Sequence, residues 1–216
     1  MNSTLKKGFT LVELLIVIGI LAVLATTAVI ILNPAQLLAQ ARDSQRLSDM
    51  GSIQSALALY LTDVGSPKLA GGTAGTGTCS NGALAGIGYV SFSSSGTTNT
   101  SFEGLAVATA IKPASAAVDR SPAGDGWIPL KFSDISGGSP LANIPVDPSN
   151  TNNFVYRYGC EEDTADGNTF ELNACLESIK YVTYMDNDGG DKNTTAGSCA
   201  ASSRFYEIGT EPGLDI

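Results

Sequence analysis

A long apolar segment near the N-terminus limits what this chain can fold into. Residues 9–32 are almost entirely apolar, and Glu13 is the only charged residue among them. A helix over this segment would be roughly 36 Å long, enough to cross a bilayer core of about 30 Å. A secretory signal has a shorter apolar stretch followed by a small-residue cleavage site, so the segment predicts a membrane-spanning helix. Lys6 and Lys7 precede it, and the positive-inside rule then places the N-terminus in the cytoplasm and the chain after Asn33 outside.

The composition excludes several functions. The chain has no histidine, which rules out Ser-His-Asp catalysis and the HExxH zinc site. It has 12 Lys and Arg against 21 Asp and Glu, a net charge of -9, so its surface would repel nucleic-acid phosphates. No nucleophile–base pair, phosphate-binding loop or cofactor motif is visible in the sequence. We therefore expect neither an enzyme nor a protein that binds nucleic acid directly.

Residues 34–64 form a second predicted helical segment of different character. Pro34 would interrupt a helix or stand in the first turn of a new one, so we expect a kink or a short unwound patch there. Beyond it, apolar residues recur at intervals of three and four, with charged residues interleaved. The apolar set is Leu47, Met50, Ile53, Leu57 and Tyr60, and the charged set is Arg42, Asp43, Arg46 and Asp49. One face of this helix can therefore cover a sheet.

The remaining residues, 65–216, predict a small head. Residues 65–101 are rich in Gly, Ser and Thr and are expected to form a surface loop, either a variable connector or a glycosylated or partner-contacting surface. Apolar residues alternate in 153–158 and 169–177 around an Asp166-Gly167 turn, which predicts a half-buried antiparallel sheet with one polar face. Further strands are expected at 204–208 and, as an edge strand because of Pro129, at 127–132. The predicted fold class is α+β, a long N-terminal helix packed on a small antiparallel sheet.

The cysteines are Cys79, Cys160, Cys175 and Cys199. All four fall in the part expected outside the membrane, where disulfides are more frequent than free thiols. They lack the CxxC spacing typical of zinc sites, and they allow three disulfide pairings. Sequence proximity favours Cys160 with Cys175 and Cys79 with Cys199. Strand parity argues against this pairing, because Cys160 would face the core while Cys175 points outward, unless a bulge at Gly159 shifts the parity.

Residues 186–191, Asp-Asn-Asp-Gly-Gly-Asp, concentrate oxygen ligands in a glycine-rich loop. Asp186, Asp188 and Asp191 are candidate calcium ligands, since Ca²⁺ prefers carboxylate and carbonyl oxygens. The loop departs from the EF-hand pattern, because Gly190 stands where a third acid belongs and no Glu ends the loop. A solvated turn without metal is the alternative. A second acidic cluster, at 161–163 and 166, is expected to be an exposed hairpin tip.

The start of the apolar segment carries the motif Lys6-Lys7-Gly8-Phe9-Thr10-Leu11-Val12-Glu13-Leu14. It resembles the leader of the type IV pilin and pseudopilin family, in which a short basic peptide ends in Gly, a Phe follows, and a Glu stands four residues further on. The resemblance implies that a prepilin peptidase cleaves between Gly8 and Phe9 and methylates the new amino group of Phe9. It divides the chain into a removed leader at 1–8, a transmembrane and filament-core helix at 9–33, an amphipathic half at 34–64 and the head at 65–216.

Glu13 also needs a physical explanation. An acid within a membrane span costs about 2.5 to 3.5 kcal/mol, so it requires a partner. No Lys or Arg lies in residues 9–32, and the only cation at that depth after processing would be the new amino group of Phe9, on the same chain or on a neighbour. Three interpretations stay open: Glu13 sets the register of assembly by pairing with a neighbour's Phe9, it pairs with the Phe9 amino group of its own chain, or it snorkels to the interface or stays neutral.

The resemblance implies a structural function. The leading interpretation is a subunit of a type IV pilus, with helices bundled into the core of a homo-oligomeric helical filament and heads forming a surface for adhesion, motility or DNA uptake. One alternative is a pseudopilin of a type II secretion system, and another is a surface domain anchored by an uncleaved single span. The implied partners are the prepilin peptidase and an inner-membrane assembly platform. The subunit would reside in the inner membrane before it joins a cell-surface filament.

Overall fold

The structure, a computed structural model, describes residues 8–69, 89–91, 112–113, 120–151, 154–163, 167–186, 188–190 and 205–210. Its helices are α1 (Leu11–Leu32) and α2 (Pro34–Asp63). The strands are β1 (Tyr89–Val90), β2 (Lys112–Pro113), β3 (Arg157–Asp163), β4 (Gly167–Ala174) and β5 (Tyr206–Gly209). Two short 3₁₀ turns occupy Phe132–Asp134 and Val182–Asp186. The chain divides into two compact units, Met1–Ala39 and Gln40–Ile216, and we call the second unit the head.

The helical region is interrupted between Leu32 and Pro34. Asn33 adopts a left-handed conformation with φ 40°, and its carbonyl oxygen accepts hydrogen bonds from the N–H groups of Gln36 and Leu37 at 2.9 and 3.3 Å. Proline has no N–H to donate and disfavours helical geometry in the residue before it, which explains why the break falls here. The sequence predicts a kink or a short unwound patch at this point, and the structure has a break of one residue, Asn33, between the two helices.

In the head, α2 presents apolar side chains to the sheet. Met50, Ile53, Leu57 and Tyr60 are buried in the core, as their spacing predicts, whereas Leu47, the fifth residue of the predicted face, is only half-buried. Two of the interleaved charged residues, Asp43 and Arg46, are also buried. The exposed side of α2 carries small uncharged side chains, among them Ser44, Ser48, Ser52 and Ser55. The charged side chains of α2 therefore contact the rest of the head, which the sequence pattern does not reveal.

In the described part of the chain the sheet has five strands in the order β2-β1-β3-β4-β5. The pairs β1–β3, β3–β4 and β4–β5 are antiparallel, and the short β1–β2 pair is parallel. The register of the central pair places Arg157 opposite Asn173 and Cys160 opposite Phe170. A long helical region followed by a small, mainly antiparallel sheet confirms the predicted α+β fold.

The two faces of the sheet differ in chemistry, but both are buried. The inner face contributes Tyr156, Tyr158, Cys160, Phe170, Leu172 and Ala174 to the core, in the predicted alternation. The other face carries a row of polar side chains, Arg157, Asn173 and Glu207, which are paired across three strands. The exposed fraction of each is 6% or less. The predicted polar face exists, but the expectation of a half-buried sheet is wrong, because these polar groups are covered.

Three details of the predicted fold are wrong. Residues 127–132 form no strand; instead, the Trp127 indole N–H donates to the carbonyl oxygen of Pro145 at 2.9 Å, and neighbouring side chains fill the core. The segment 65–101 is not purely a surface loop, because Leu69 and β1 are buried. The hairpin strands are displaced toward the turn: β3 starts at Arg157 and β4 starts at Gly167, which the sequence places in the turn. Residues 164–166 lie outside the described residues, as do the side chains of 161–163.

Candidate functional site

The N-terminal motif begins α1 with a capping box. Thr10 is the N-cap, with an extended backbone, and its Oγ1 accepts a hydrogen bond from the Glu13 N–H at 3.2 Å. The Glu13 side chain turns back, and its Oε2 accepts hydrogen bonds from the N–H and the Oγ1 of Thr10, both at 2.8 Å. Each residue therefore satisfies polar groups of the other at the exposed start of the helix.

This geometry gives Glu13 a partner on its own chain. Both donors belong to Thr10, which follows Phe9, so the capping box would survive cleavage after Gly8. Thr10 is not among the predicted site residues, because a cation is the partner expected for a carboxylate within a membrane span. The spacing Thr-x-x-Glu before an apolar run indicates a capping box and would have identified it.

The α1 helix exposes all of its side chains. The helical region 11–63 contains an 18-residue window with a mean hydropathy of 3.0, and none of that window is buried. Phe9, just before the helix, is 83% exposed. By length and composition this helix is able to cross a membrane, and its apolar surface needs lipid or other helices to cover it.

Gly8 has open space around it. A Cβ placed on Gly8 would meet no atom of the described residues within 4 Å, so their packing does not require glycine at this position. A glycine that folding does not require is a candidate for recognition by another molecule, since its bare backbone permits close approach. Lys6 and Lys7 lie outside the described residues.

A group of charged residues joins α2 to two segments of the head, and we call it the ionic cluster: Arg42, Asp43, Arg46, Asp147 and Glu177. Arg46 is fully buried, and its Nε and Nη2 donate to the Asp147 carboxylate at 2.7 and 3.1 Å. Its Nη1 donates to Asp43 at 2.8 Å and to Glu177 at 2.7 Å. Arg42 binds both carboxylate oxygens of Glu177, at 2.6 and 2.7 Å. Every pair is thus a charge-assisted hydrogen bond at short distance.

Two carboxylates of the ionic cluster also hold backbone groups. Asp43 accepts hydrogen bonds from the N–H groups of Glu177 and Ser178, the latter at 2.7 Å. Asp147 Oδ1 accepts from the N–H groups of Ser149 and Asn150 at 2.7 and 3.1 Å. The cluster therefore fixes two separate loops of the head onto the same turns of α2.

Two members of the ionic cluster, Arg46 and Glu177, have pKa values that favour their charged forms. Burial alone would lower the pKa of Arg46, but the hydrogen bonds and charge of Asp147 outweigh this effect and raise the pKa above its ordinary value. The pKa of Glu177 is lowered, chiefly by its hydrogen bonds with Arg42. In the polar row of the sheet, by contrast, desolvation lowers the pKa of Arg157 to about 10. Arg46 and Glu177 are therefore held in their charged forms at neutral pH.

The loop at 186–191, which we call the acidic loop and of which residues 186 and 188–190 are described, packs against the edge strand β5. Asp188 Oδ1 accepts a hydrogen bond from the Gly190 N–H at 3.0 Å, and its Oδ2 accepts one from the Glu207 N–H at 2.8 Å. A Cβ on Gly190 would overlap the Glu207 carboxylate, so the close approach of loop and strand requires glycine there.

The predicted calcium site involves the same loop. Each carboxylate oxygen of Asp188 keeps a second lone pair, which leaves capacity for a cation. Among the described residues, no three acidic, Cys or His side chains form a group that could hold a metal. Asp186 and Asp188 belong to that part of the chain, whereas Asp191 lies outside it. The calcium site therefore stays a prediction.

Cys160 and Cys175 are both disulfide-bonded, but the sheet register shows that they do not bond to each other. Cys160 stands opposite Phe170, and β4 continues from there to Ala174, just before Cys175. Four strand residues span about 13 Å, whereas the Cα atoms of a disulfide lie about 4.4 to 6.8 Å apart.

The pairing favoured by sequence proximity is therefore wrong. The β3–β4 register is continuous through Gly159, so no bulge is present to change the parity. Cys79 and Cys199 lie outside the described residues.

Comparison with known proteins adds one finding. Residues 4–29 match the family described as the prokaryotic N-terminal methylation motif. No curated protein and no solved structure matches the chain. The matched residues contain the Gly8-Phe9 bond, the capping box and most of the exposed apolar helix α1. The chain thus carries, at residues 4–29, the prokaryotic N-terminal methylation motif, which is the prepilin-like leader of type IV pilins and pseudopilins.

Proposed function

We propose that the protein is a structural, non-enzymatic subunit of a type IV pilus, made as a prepilin and assembled through α1 into a helical homo-oligomeric filament. The observation that carries the proposal is a methylation motif that leads directly into a helix with every side chain exposed. Exposed apolar surface costs about 25 cal/mol per Å² in water. Lipid covers this helix before assembly, and the helices of neighbouring subunits cover it in the filament.

Processing would take place at the Gly8-Phe9 bond. The open surroundings of Gly8 support this step, because a prepilin peptidase must reach the backbone there. Cleavage frees the amino group of Phe9, which the same enzyme methylates. The subunit then stays in the inner membrane as a single-pass protein, with its N-terminus in the cytoplasm, until the assembly platform transfers it into a cell-surface filament.

Glu13 would act in two stages. In the membrane, the two hydrogen bonds from Thr10 satisfy the carboxylate within its own chain. During assembly, the amino group of Phe9 on a neighbouring subunit supplies a positive charge, which Thr10 does not. Because an ion pair in a low-dielectric medium is much stronger than in water, this contact would fix the register between subunits.

A pseudopilin of a type II secretion system is the alternative within the same class, since its leader has the same motif. The acidic loop favours neither filament, but a bound calcium ion held by Asp186, Asp188 and Asp191 would stabilise the head in both. The third possibility, an anchored surface domain with an uncleaved span, conflicts with the processing step proposed above.

The experiment that separates these functions compares cells with and without the gene. Electron microscopy counts surface filaments, and an assay of the culture medium measures exoprotein release. We expect deletion to remove the filaments and leave exoprotein release normal. Failed release with normal filaments would identify a pseudopilin instead, and no change in either would leave only the anchored domain.

A further inference from the structure

An exposed apolar and aromatic patch follows the ionic cluster in the chain. Among the large apolar side chains of the described head, Ile179 is 75% exposed and Tyr184 is 49% exposed. The Tyr181 and Tyr184 rings contact each other with centroids 5.4 Å apart, and Lys180 Nζ lies 4.7 Å from the centre of the Tyr181 ring. We call Ile179, Lys180, Tyr181 and Tyr184 the 179–184 patch.

The ionic cluster holds this patch firmly in place. Asp43 binds the N–H groups of Glu177 and Ser178, which directly precede the patch. The Ser178 carbonyl oxygen accepts from the Tyr181 and Val182 N–H groups, which forms the turn. Ser44 Oγ and Tyr181 Oη lie 3.1 Å apart. The patch is therefore mounted beside residues 42–44 of α2, at the N-terminal end of the part of α2 that belongs to the head.

The chain limits how far this part of α2 can be from the apolar helix. About ten residues separate Leu32, the end of α1, from Arg42, and they reach at most about 35 Å when extended. When α1 crosses a bilayer, the N-terminal end of the head is thus tethered within about 35 Å of the end of the membrane span.

The composition of the patch suits that location. Tyrosine is enriched where membranes meet water, because its ring is apolar and its hydroxyl is polar. Lys180 lies over the Tyr181 ring, and its long side chain can reach a lipid phosphate. The whole chain has a net charge of -9 and Asp188 lines the same pocket as Tyr184, so Lys180 supplies the positive charge with which the patch meets anionic lipids.

We propose that the 179–184 patch docks the head on the membrane surface before assembly, with Ile179 and Tyr184 in the headgroup region and Lys180 on anionic lipid phosphates. This inference rests on the membrane-anchored state in the proposed function, not on the type of filament. Bilayer is favoured over a second copy of the chain, because a stable protein interface buries about 800 Å² per partner. A patch that is tethered to the membrane needs far less buried area to bind it, since the tether supplies a high effective concentration.

The test is photo-crosslinking of the full chain in vesicles of phosphatidylethanolamine and phosphatidylglycerol. Ile179→benzoylphenylalanine places a photoreactive group in the patch. Leu59→benzoylphenylalanine is the matched control, because Leu59 is also exposed, at 43%, but lies near the other end of α2. We expect lipid adducts at position 179 and none at 59. Lys180→Gln should lower the adduct yield at 179 about fivefold, the effect of one basic residue near an anionic surface.

Several outcomes would overturn the inference. Adducts at 179 that join two copies of the chain would assign the patch to self-association. Equal lipid adducts at 179 and 59, or none at 179, would show that the patch does not face the bilayer. Vesicle flotation separates these results from failure of anchoring: a chain that does not float with the vesicles would refute the anchored state itself.

Discussion

Replacing Arg46 by methionine should destabilise the head strongly, because it removes the central cation of the ionic cluster. Arg46 binds three carboxylates, and two of them, Asp43 and Asp147, are 0% and 2% exposed. Removing one partner of a buried ion pair leaves an uncompensated charge and costs about 3 to 5 kcal/mol. Arg42→Met is the matched control: the Arg42 side chain is 37% exposed, so the loss of its pair with Glu177 should cost about 1 kcal/mol or less.

Trp127 is a suitable reporter for this experiment. It is the single tryptophan of the chain, it is 1% exposed, and it lies in the core of the head. Thermal unfolding of the full chain in detergent, followed by tryptophan fluorescence, therefore measures the stability of the head. At about 2 to 4 °C per kcal/mol for a domain of this size, Arg46→Met should lower the Tm by roughly 6 to 20 °C. Equal, small losses in both variants would refute a stabilising role for the buried cluster.

Three further predictions concern other charged groups. Because Arg42 lowers the pKa of Glu177, this carboxyl adds stability that is present above its ordinary pKa of 4.5 and lost as the pH falls through the lower folded value. Glu177→Gln should remove that part of the acid dependence of urea midpoints, and unchanged acid dependence would contradict it. Glu13→Ala should leave processing intact but reduce sheared filament relative to processed subunit, whereas normal yield would exclude the interchain register. Calcium at about a hundredfold excess over its Kd should stabilise the head by about 2.7 kcal/mol, and Asp188→Asn should weaken this gain. A melting midpoint that millimolar calcium leaves unchanged would indicate a metal-free turn.

The sequence predicts those features of the fold that depend on residues close together in the chain. Pro34 predicts the break between α1 and α2 because its effect is confined to adjacent residues. The spacing of Met50, Ile53 and Leu57 predicts the buried face of α2, because helical period and burial coincide there. The Thr10–Glu13 capping box belongs to the same class and was readable from sequence spacing alone.

The ionic cluster was not predictable in this way. Arg46 finds Asp147 at a sequence separation of 101, and Arg42 finds Glu177 at a separation of 135. No local pattern distinguishes a charge that will pair at such distance from one that faces water. A charged residue on a helix is usually exposed, so the sequence pattern alone predicts that Arg42 and Arg46 lie on the surface.

The failed strand at 127–132 has a different cause. Trp127, Ile128, Leu130 and Phe132 are all buried, and a short run of buried residues has no period that separates a strand from an irregular core segment. The sequence does not predict the two-residue strand β1 either, because the Gly- and Ser-rich sequence around it favours a loop. In both cases tertiary packing decided the local structure.

The most direct measurement is the N-terminal mass of the chain in sheared surface filaments. We expect the assembled chain to begin at Phe9 and to carry a methyl group on its amino nitrogen. Gly8→Leu, which has room because no other part of the described chain lies within 4 Å of a Cβ there, should leave the unprocessed chain in the membrane and no filament. An assembled chain that begins at Met1 would contradict processing at the Gly8-Phe9 bond and, with it, the assignment as a pilin-like subunit.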